Sequence, residues 1–295
     1  NHKPKYSYLE PIQTFKLRND LPNELYNLDI LDGSPPCSSF SIAGNREKDW
    51  GKEKKFKEGQ SKQILDTLFF DFIDLAKKLQ PKIVIAENVK GLLIGNAKSY
   101  VNKIYKQFDL AGYNVQHFLL NASKMGVPQK RERVFFIAIR KDLASPFLEQ
   151  LDMFSITLKI NLNFNEPKIP FGVIQDGKGR CLSENMQVIW NGREENDTLM
   201  RSACMRIQGK NKYFSQSFLY SNKVAPTLTS KECSLVLFDS PVYTSKDEAC
   251  KIGSYPLDYN FMGSKPHYVC GMSVPPVMTA QVVSRIYEQI LSKIK

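Results

Sequence analysis

Apolar and polar positions along the first half of the chain alternate between two periods. Leu28–Leu31 is a short apolar run that reads as a buried strand. Ser61 reads as the N-cap of a helix whose apolar face repeats at Ile64, Leu65, Leu68, Phe69, Phe72, Ile73 and Ala76. Lys82–Ala86 predicts the next strand, and Ser99–Leu110 a helix through Val101, Ile104, Tyr105 and Phe108. Asn114–Leu120 and Val134–Ile139 predict two more strands. Strands separated by helices imply an α/β fold with a mostly parallel, doubly wound sheet. In such sheets reactive residues gather at the carboxyl ends of strands, where Gly33–Cys37 and Glu87–Val89 fall.

The pattern changes after about Lys141. From roughly 160 to 240, Pro, Asn, Gly and Ser mix with short apolar pieces such as Val188-Ile189-Trp190 and Leu235–Phe238. This predicts a smaller, loop-rich domain with short strands. A helical signature returns at Thr279–Ile294. The expected division is 1–160, 161–242, and a closing segment 243–295 whose helix returns to the first domain.

Composition narrows the functional classes. The longest apolar stretch, Leu68 to Ala76, is broken by Asp71 and Asp74, so neither a membrane span nor a signal peptide is visible, and cytoplasm is the expected location. Net charge is +11, from 41 Lys and Arg against 30 Asp and Glu, which favours a polyanionic partner or simply solubility. The six cysteines have no CxxC spacing, and there are only three histidines, so no metal site is expected. Ile42 to Gln60 is basic, glycine-spaced and without apolar period. It reads either as a solvated loop or as a lid closing over bound nucleic acid.

Three strand-edge groups carry candidate chemistry. Cys37 follows Gly33-Ser34-Pro35-Pro36, a turn that ends a strand and exposes the next side chain. A thiolate adding to carbon 6 of cytosine makes carbon 5 nucleophilic enough to take an electrophilic methyl group. Glu87 ends an apolar strand, where partial burial favours a protonated acid that could polarise the ring. Arg131 and Arg133 alternate at the start of a strand and are expected to point the same way. One could bind the ring oxygen, the other Glu87 or a phosphate.

These segments resemble the cytosine-C5 DNA methyltransferases. Pro35-Pro36-Cys37, Glu87-Asn88-Val89 and Gln129-Lys130-Arg131-Glu132-Arg133 are similar to the nucleophile, ENV and QxRxR motifs of that family. Tyr243–Cys250 through Tyr255-Pro256 resembles the segment that organises its recognition domain, and Gly271–Pro276 its closing motif. The resemblance implies the S-adenosylmethionine-dependent methyltransferase fold, with a target-recognition domain at 161–242 and double-stranded DNA as partner. Cys37 would then be the nucleophile and Glu87 the acid at the cytosine edge. Asn88 and Pro36 would shape the Cys37 loop, Arg133 would meet the cytosine oxygen, and Arg131 would support the site. Leu68, Ser273 and Val274 would lie against S-adenosylmethionine. Ser41 would touch a phosphate near the flipped base, and Thr227-Leu228 would serve DNA recognition.

Some family features have no counterpart. The opening strand with its F-x-G-x-G loop and the ribose-holding acid are not seen, and Asn1–Pro4 looks like the stretch just past them. Glu10-Pro11-Ile12 occupies the region of the adenine contact, and Met272 stands where Asn is usual. Three readings stay open: a fragment, a split enzyme completed by a second polypeptide, or an inactive relative that only binds DNA. The chain alone is expected to bind S-adenosylmethionine weakly. A tRNA-directed relative is a further alternative, although its recognition segment is generally shorter than the roughly hundred residues between Arg140 and Pro241.

Overall fold

The structure, a computed structural model, describes residues 3–36, 53–54, 63–64, 67–94, 97–150, 156–213 and 215–294, with the backbone alone at 53–54 and 63–64. It divides into two compact units. The sheet unit comprises residues up to 120, then 132–162 and 285 onward; the second unit comprises 121–131 and 163–284. Residues 243–284 thus belong to the same unit as 163–242, and a short excursion at 121–131 joins them.

In the sheet unit, strand β1 is Ile30–Gly33, helix α1 Leu68–Leu79, β2 Ile83–Val89, α2 Lys98–Leu110, β3 Tyr113–Asn121 and β4 Glu132–Arg140. Their order across the sheet is β1-β2-β4-β3. Strand β1 runs parallel to β2, with Gly33 opposite Ala86. Strand β2 runs antiparallel to β4, with Glu87 opposite Phe135 and Val89 opposite Arg133. The sheet is therefore mixed, which corrects the expected mostly parallel, doubly wound arrangement. The cause is the link between β3 and β4. It spans residues 122–131 and carries only a 3-10 turn at Ala122–Lys124, too little for the crossover that a parallel return requires.

Helix α1 begins at Leu68 rather than near Ser61, which lies outside the described residues. Ile64 pairs in a two-residue antiparallel ribbon, Gln63–Ile64 with Glu53–Lys54, so its apparent helical spacing is coincidental. The helix buries Leu68, Phe69, Phe72, Ile73, Leu75, Ala76 and Leu79. It stops at Gln80, whose φ of 50° is left-handed, and Pro81 then disfavours further helix. Phe69 and Phe72 of α1, Ile104 and Phe108 of α2, and Phe136 of β4 share one core. Ile83, Ile85, Phe135, Ile137 and Ile139, on the alternate positions, are buried too. The central strands are covered on both faces, hence their continuous apolar runs.

The second unit holds helices α3, Glu184–Asn191, and α4, Met200–Gln208, then a parallel pair of short strands, β5 Ser217–Leu219 and β6 Leu235–Leu237. Helices α5, Lys246–Ile252, and α6, Pro266–Met272, follow, and α7, Pro276–Gln289, begins in this unit and ends among the residues of the sheet unit. The strand pair separates two cores. Leu219, Leu235 and Leu237 face Phe171, Leu228 and Ile252. Phe218 and Val236 face Leu182, Ile189 and Met200. The expected short strands are present, but α3 and α4 make this unit more helical than its Asn- and Gly-rich sequence suggests. Among the described residues no helix is long and apolar enough to cross a membrane.

Candidate active site

Strand β1 ends at Gly33, where any Cβ would meet the Phe72 ring at 2.5 Å. Glycine here lets β1 lie close against α1. The chain then turns through Ser34, Pro35 and Pro36, with Pro35 buried. Neither proline has an N–H, so the turn cannot hold itself through those positions. The brace comes from the neighbouring strand. The Asn88 Nδ2 donates to the Pro35 carbonyl at 3.2 Å, while the Asn88 Oδ1 accepts from the Val89 N–H at 2.9 Å. Asn88 is buried. Cys37 and Ser41 lie outside the described residues, as does the basic stretch that would form a lid apart from the backbone of Glu53–Lys54.

One position before Asn88, the Glu87 Oε1 pairs with the Arg133 Nε at 2.8 Å. Their side chains are only 10% and 15% exposed, so water screens the pair little. Register explains the contact. Glu87 faces Phe135 across the ladder, which makes Arg133 its diagonal neighbour on the same sheet face. The Arg133 Nη1 also donates to the Glu132 carbonyl at 2.8 Å. Burial pulls the Arg133 guanidinium below its ordinary value, and the Glu87 carboxylate opposes that pull. The group remains a cation. Nearby, the Lys90 Nζ pairs with the Glu132 Oε2 at 2.8 Å, a link not anticipated from sequence.

Arg131 behaves differently from Arg133. It precedes β4 rather than opening it, so strand alternation does not align the two side chains. Arg131 is 1% exposed within the second unit. Its Nη1 donates to the Leu228 carbonyl and its Nη2 to the Gly271 carbonyl, each at 3.0 Å. The rigid guanidinium fork thereby joins two distant backbone segments. Gln129, fully buried, works beside it: its Nε2 donates to the Ile252 carbonyl at 3.0 Å and its Oε1 accepts the Leu228 N–H at 3.1 Å. Gln129 was visible as a motif letter only; no local pattern announces a buried amide with such distant partners.

Thr227 is exposed, and its hydroxyl donates to the Lys130 carbonyl at 2.6 Å. Leu228 has no exposed surface and packs in the second unit's core, so the side chain expected at DNA is instead structural. The recognition-like segment near Tyr243 is organised by Glu248. This buried carboxylate accepts the N–H groups of Asp176 at 2.8 Å, Gly177 at 3.0 Å and Ser245 at 2.8 Å. Ser245 and Glu248 form a capping box at α5, legible as Ser-x-x-Glu but not foreseen.

The residues expected at S-adenosylmethionine are Leu68, buried in the sheet unit, and Ser273 and Val274, partly buried in the second unit. The Ser273 Oγ donates to the Val269 carbonyl at 2.7 Å, leaving its oxygen able to accept.

The profile of the C-5 cytosine-specific DNA methylase family matches residues 6–234, and the chain belongs to that family. The type II methyltransferase M.FnuDI of Fusobacterium nucleatum is 40% identical over 143 residues, covering 48% of this chain and 36% of that relative. M.NgoPII of Neisseria gonorrhoeae is 40% identical over 149 residues, 50% of this chain and 38% of the relative. The chain therefore spans well under half the length of these curated relatives. Among solved structures, a prophage-encoded candidate DNA modification methyltransferase of E. coli superposes with a TM-score of 0.58 at 18% identity. That match covers 95% of this chain and 82% of the other, a likeness of fold.

Proposed function

We propose that this protein transfers a methyl group from S-adenosylmethionine to carbon 5 of cytosine in double-stranded DNA, in the manner of a restriction-modification methyltransferase. The supporting observation is the convergence at one sheet edge of the Asn88-braced Pro35-Pro36 turn and the Glu87–Arg133 pair. S-adenosylmethionine supplies an activated methyl group bound to a sulfonium.

The chain's residues would act in sequence. The target cytosine leaves the duplex, at a cost of a few kcal/mol, and enters beside Glu87. Glu87 takes up a proton as the base enters and shares it with ring nitrogen 3, while Arg133 holds the carboxyl group through its Nε and meets the ring oxygen with its outer nitrogens. The Cys37 thiolate forms a bond to carbon 6, and the displaced electron pair makes carbon 5 nucleophilic. Carbon 5 takes the methyl group. Loss of the carbon 5 proton to a base and departure of the thiolate then restore the aromatic ring. Asn88 positions the turn that delivers the thiol. The second unit would read the surrounding bases from the major groove.

The decisive experiment uses a duplex carrying 5-fluorocytosine. Fluorine cannot leave as a proton does, so a covalent protein–DNA adduct should accumulate and survive a denaturing gel. Cys37→Ser should form no adduct yet still bind duplex. An adduct formed equally by Cys37→Ser would remove the nucleophile assignment, and no adduct from the wild-type chain with S-adenosylmethionine present would remove the reaction.

A further inference from the structure

We propose that a cationic pocket within the second unit binds a backbone phosphate of duplex DNA; the choice of DNA as the ligand's source rests on the function proposed above. The pocket has a volume of about 320 Å³, ample for a phosphate group. Its rim carries four cations, Lys178, Arg180, Lys246 and Lys265, against one carboxylate, Glu232. All four cationic residues are exposed, and of these Lys265 is paired with Glu232.

The floor is rigid. A Cβ on Gly179 would lie 1.6 Å from the Tyr243 carbonyl oxygen, so only glycine lets this strand run flush against residues 243–244. The Tyr243 N–H donates to the Arg180 carbonyl at 2.9 Å, pinning the backbone that carries the guanidinium. His267, buried below, lies 3.2 Å from the Thr244 carbonyl oxygen through its Nε2. The Arg180 side chain is held by neutral groups: its Nη2 sits 3.0 Å from the Cys233 Sγ, and its guanidinium lies 5.3 Å over the Tyr243 ring. A guanidinium fixed in place by a thiol and an aromatic face keeps its charge for an anion, and its planar fork matches phosphate oxygens. Glu232 is held by Lys265 at 3.2 Å and stands as the one repulsive group at the mouth. A phosphate contact carries no base information, so the affinity it provides should be independent of sequence.

The test is fluorescence-anisotropy titration of the full chain with two labelled duplexes, one it methylates and one it does not, over a series of salt concentrations. Arg180→Gln should weaken binding to both duplexes by about two- to fivefold, as expected of an exposed charge contact, and lower the salt slope by about one. Arg180→Lys should retain most of the affinity. Glu232→Gln should tighten binding to both duplexes, a gain that misfolding cannot imitate. Unchanged binding in both Arg180→Gln and Glu232→Gln would overturn the proposal, as would a loss confined to the methylated duplex. Saturable binding of inorganic phosphate that Arg180→Gln abolishes, with DNA binding intact, would assign the pocket to free phosphate and overturn its DNA role. The fluorocytosine adduct separates the two readings: an adduct from wild type with unaffected variants sinks the pocket alone, and the expected variant pattern without an adduct sinks the catalytic reading alone.

Discussion

The Asn88 amide and the Pro35 carbonyl, 3.2 Å apart, tie the end of β2 to the turn that follows β1. The two residues are far apart in sequence, and the parallel register that sets Gly33 opposite Ala86 brings them together. The acid Glu87 and the turn leading to Cys37 thus share one support.

Removing that support should impair turnover. Asn88→Ala leaves the Pro35 carbonyl without its donor, a loss of about 1–3 kcal/mol if the carbonyl stays buried. Adduct formation with a fluorocytosine duplex should slow by roughly tenfold or more, with a smaller change in the affinity for DNA. Rapid-quench adduct kinetics and anisotropy binding measure the two separately.

Arg133→Ala should destabilise the sheet unit more than the double variant Arg133→Ala with Glu87→Gln. The single change takes the guanidinium away from a buried carboxylate, which costs about 3–5 kcal/mol, and the second change removes that charge. Urea denaturation of the wild type, both single variants and the double variant gives the coupling energy. Both Arg133→Ala and Glu87→Gln should lose methyl transfer.

Arg131 should prove structural. Arg131→Lys cannot reach the carbonyls of Leu228 and Gly271 together, so it should lower stability by about 2–4 kcal/mol despite keeping the charge. Limited proteolysis should then cut the second unit first. A variant as stable as wild type would show that the fork is dispensable.

Stability should decline as the solution is acidified below about pH 6.5. Burial holds His117 and His267 below their ordinary value of 6.5. The unfolded chain therefore binds more protons than the folded one in that window, and the stabilisation present above it is lost as pH falls. Urea midpoints between pH 7.5 and 5.5 should drop, and replacing His117 with Gln should flatten the dependence.

Local patterns carried part of this architecture. Helix α2 follows its apolar period because it buries one regular face, and strand β4 follows its continuous apolar run because it is buried on both faces. Strand β2 runs past Ala86 through Glu87 and Asn88, which hydropathy alone would exclude. These polar residues are buried because Arg133 and Pro35 supply their partners. Strand direction is invisible to periodicity, so the antiparallel β2–β4 pair could not be read. The roles of Arg131 and Gln129 depend on Leu228, Ile252 and Gly271, roughly a hundred residues or more away. Their letters were legible, but their partners were not.

The reversal of β4 has a further consequence. Because β4 runs against β2, the beginning of one strand arrives beside the finish of the other, and Arg133 meets Glu87 through ladder register alone. The connecting stretch, with α2 and β3, does not set that spacing. Insertions or deletions there can accumulate over evolutionary time without disturbing the pair, so long as the rungs between the two strands keep their alignment.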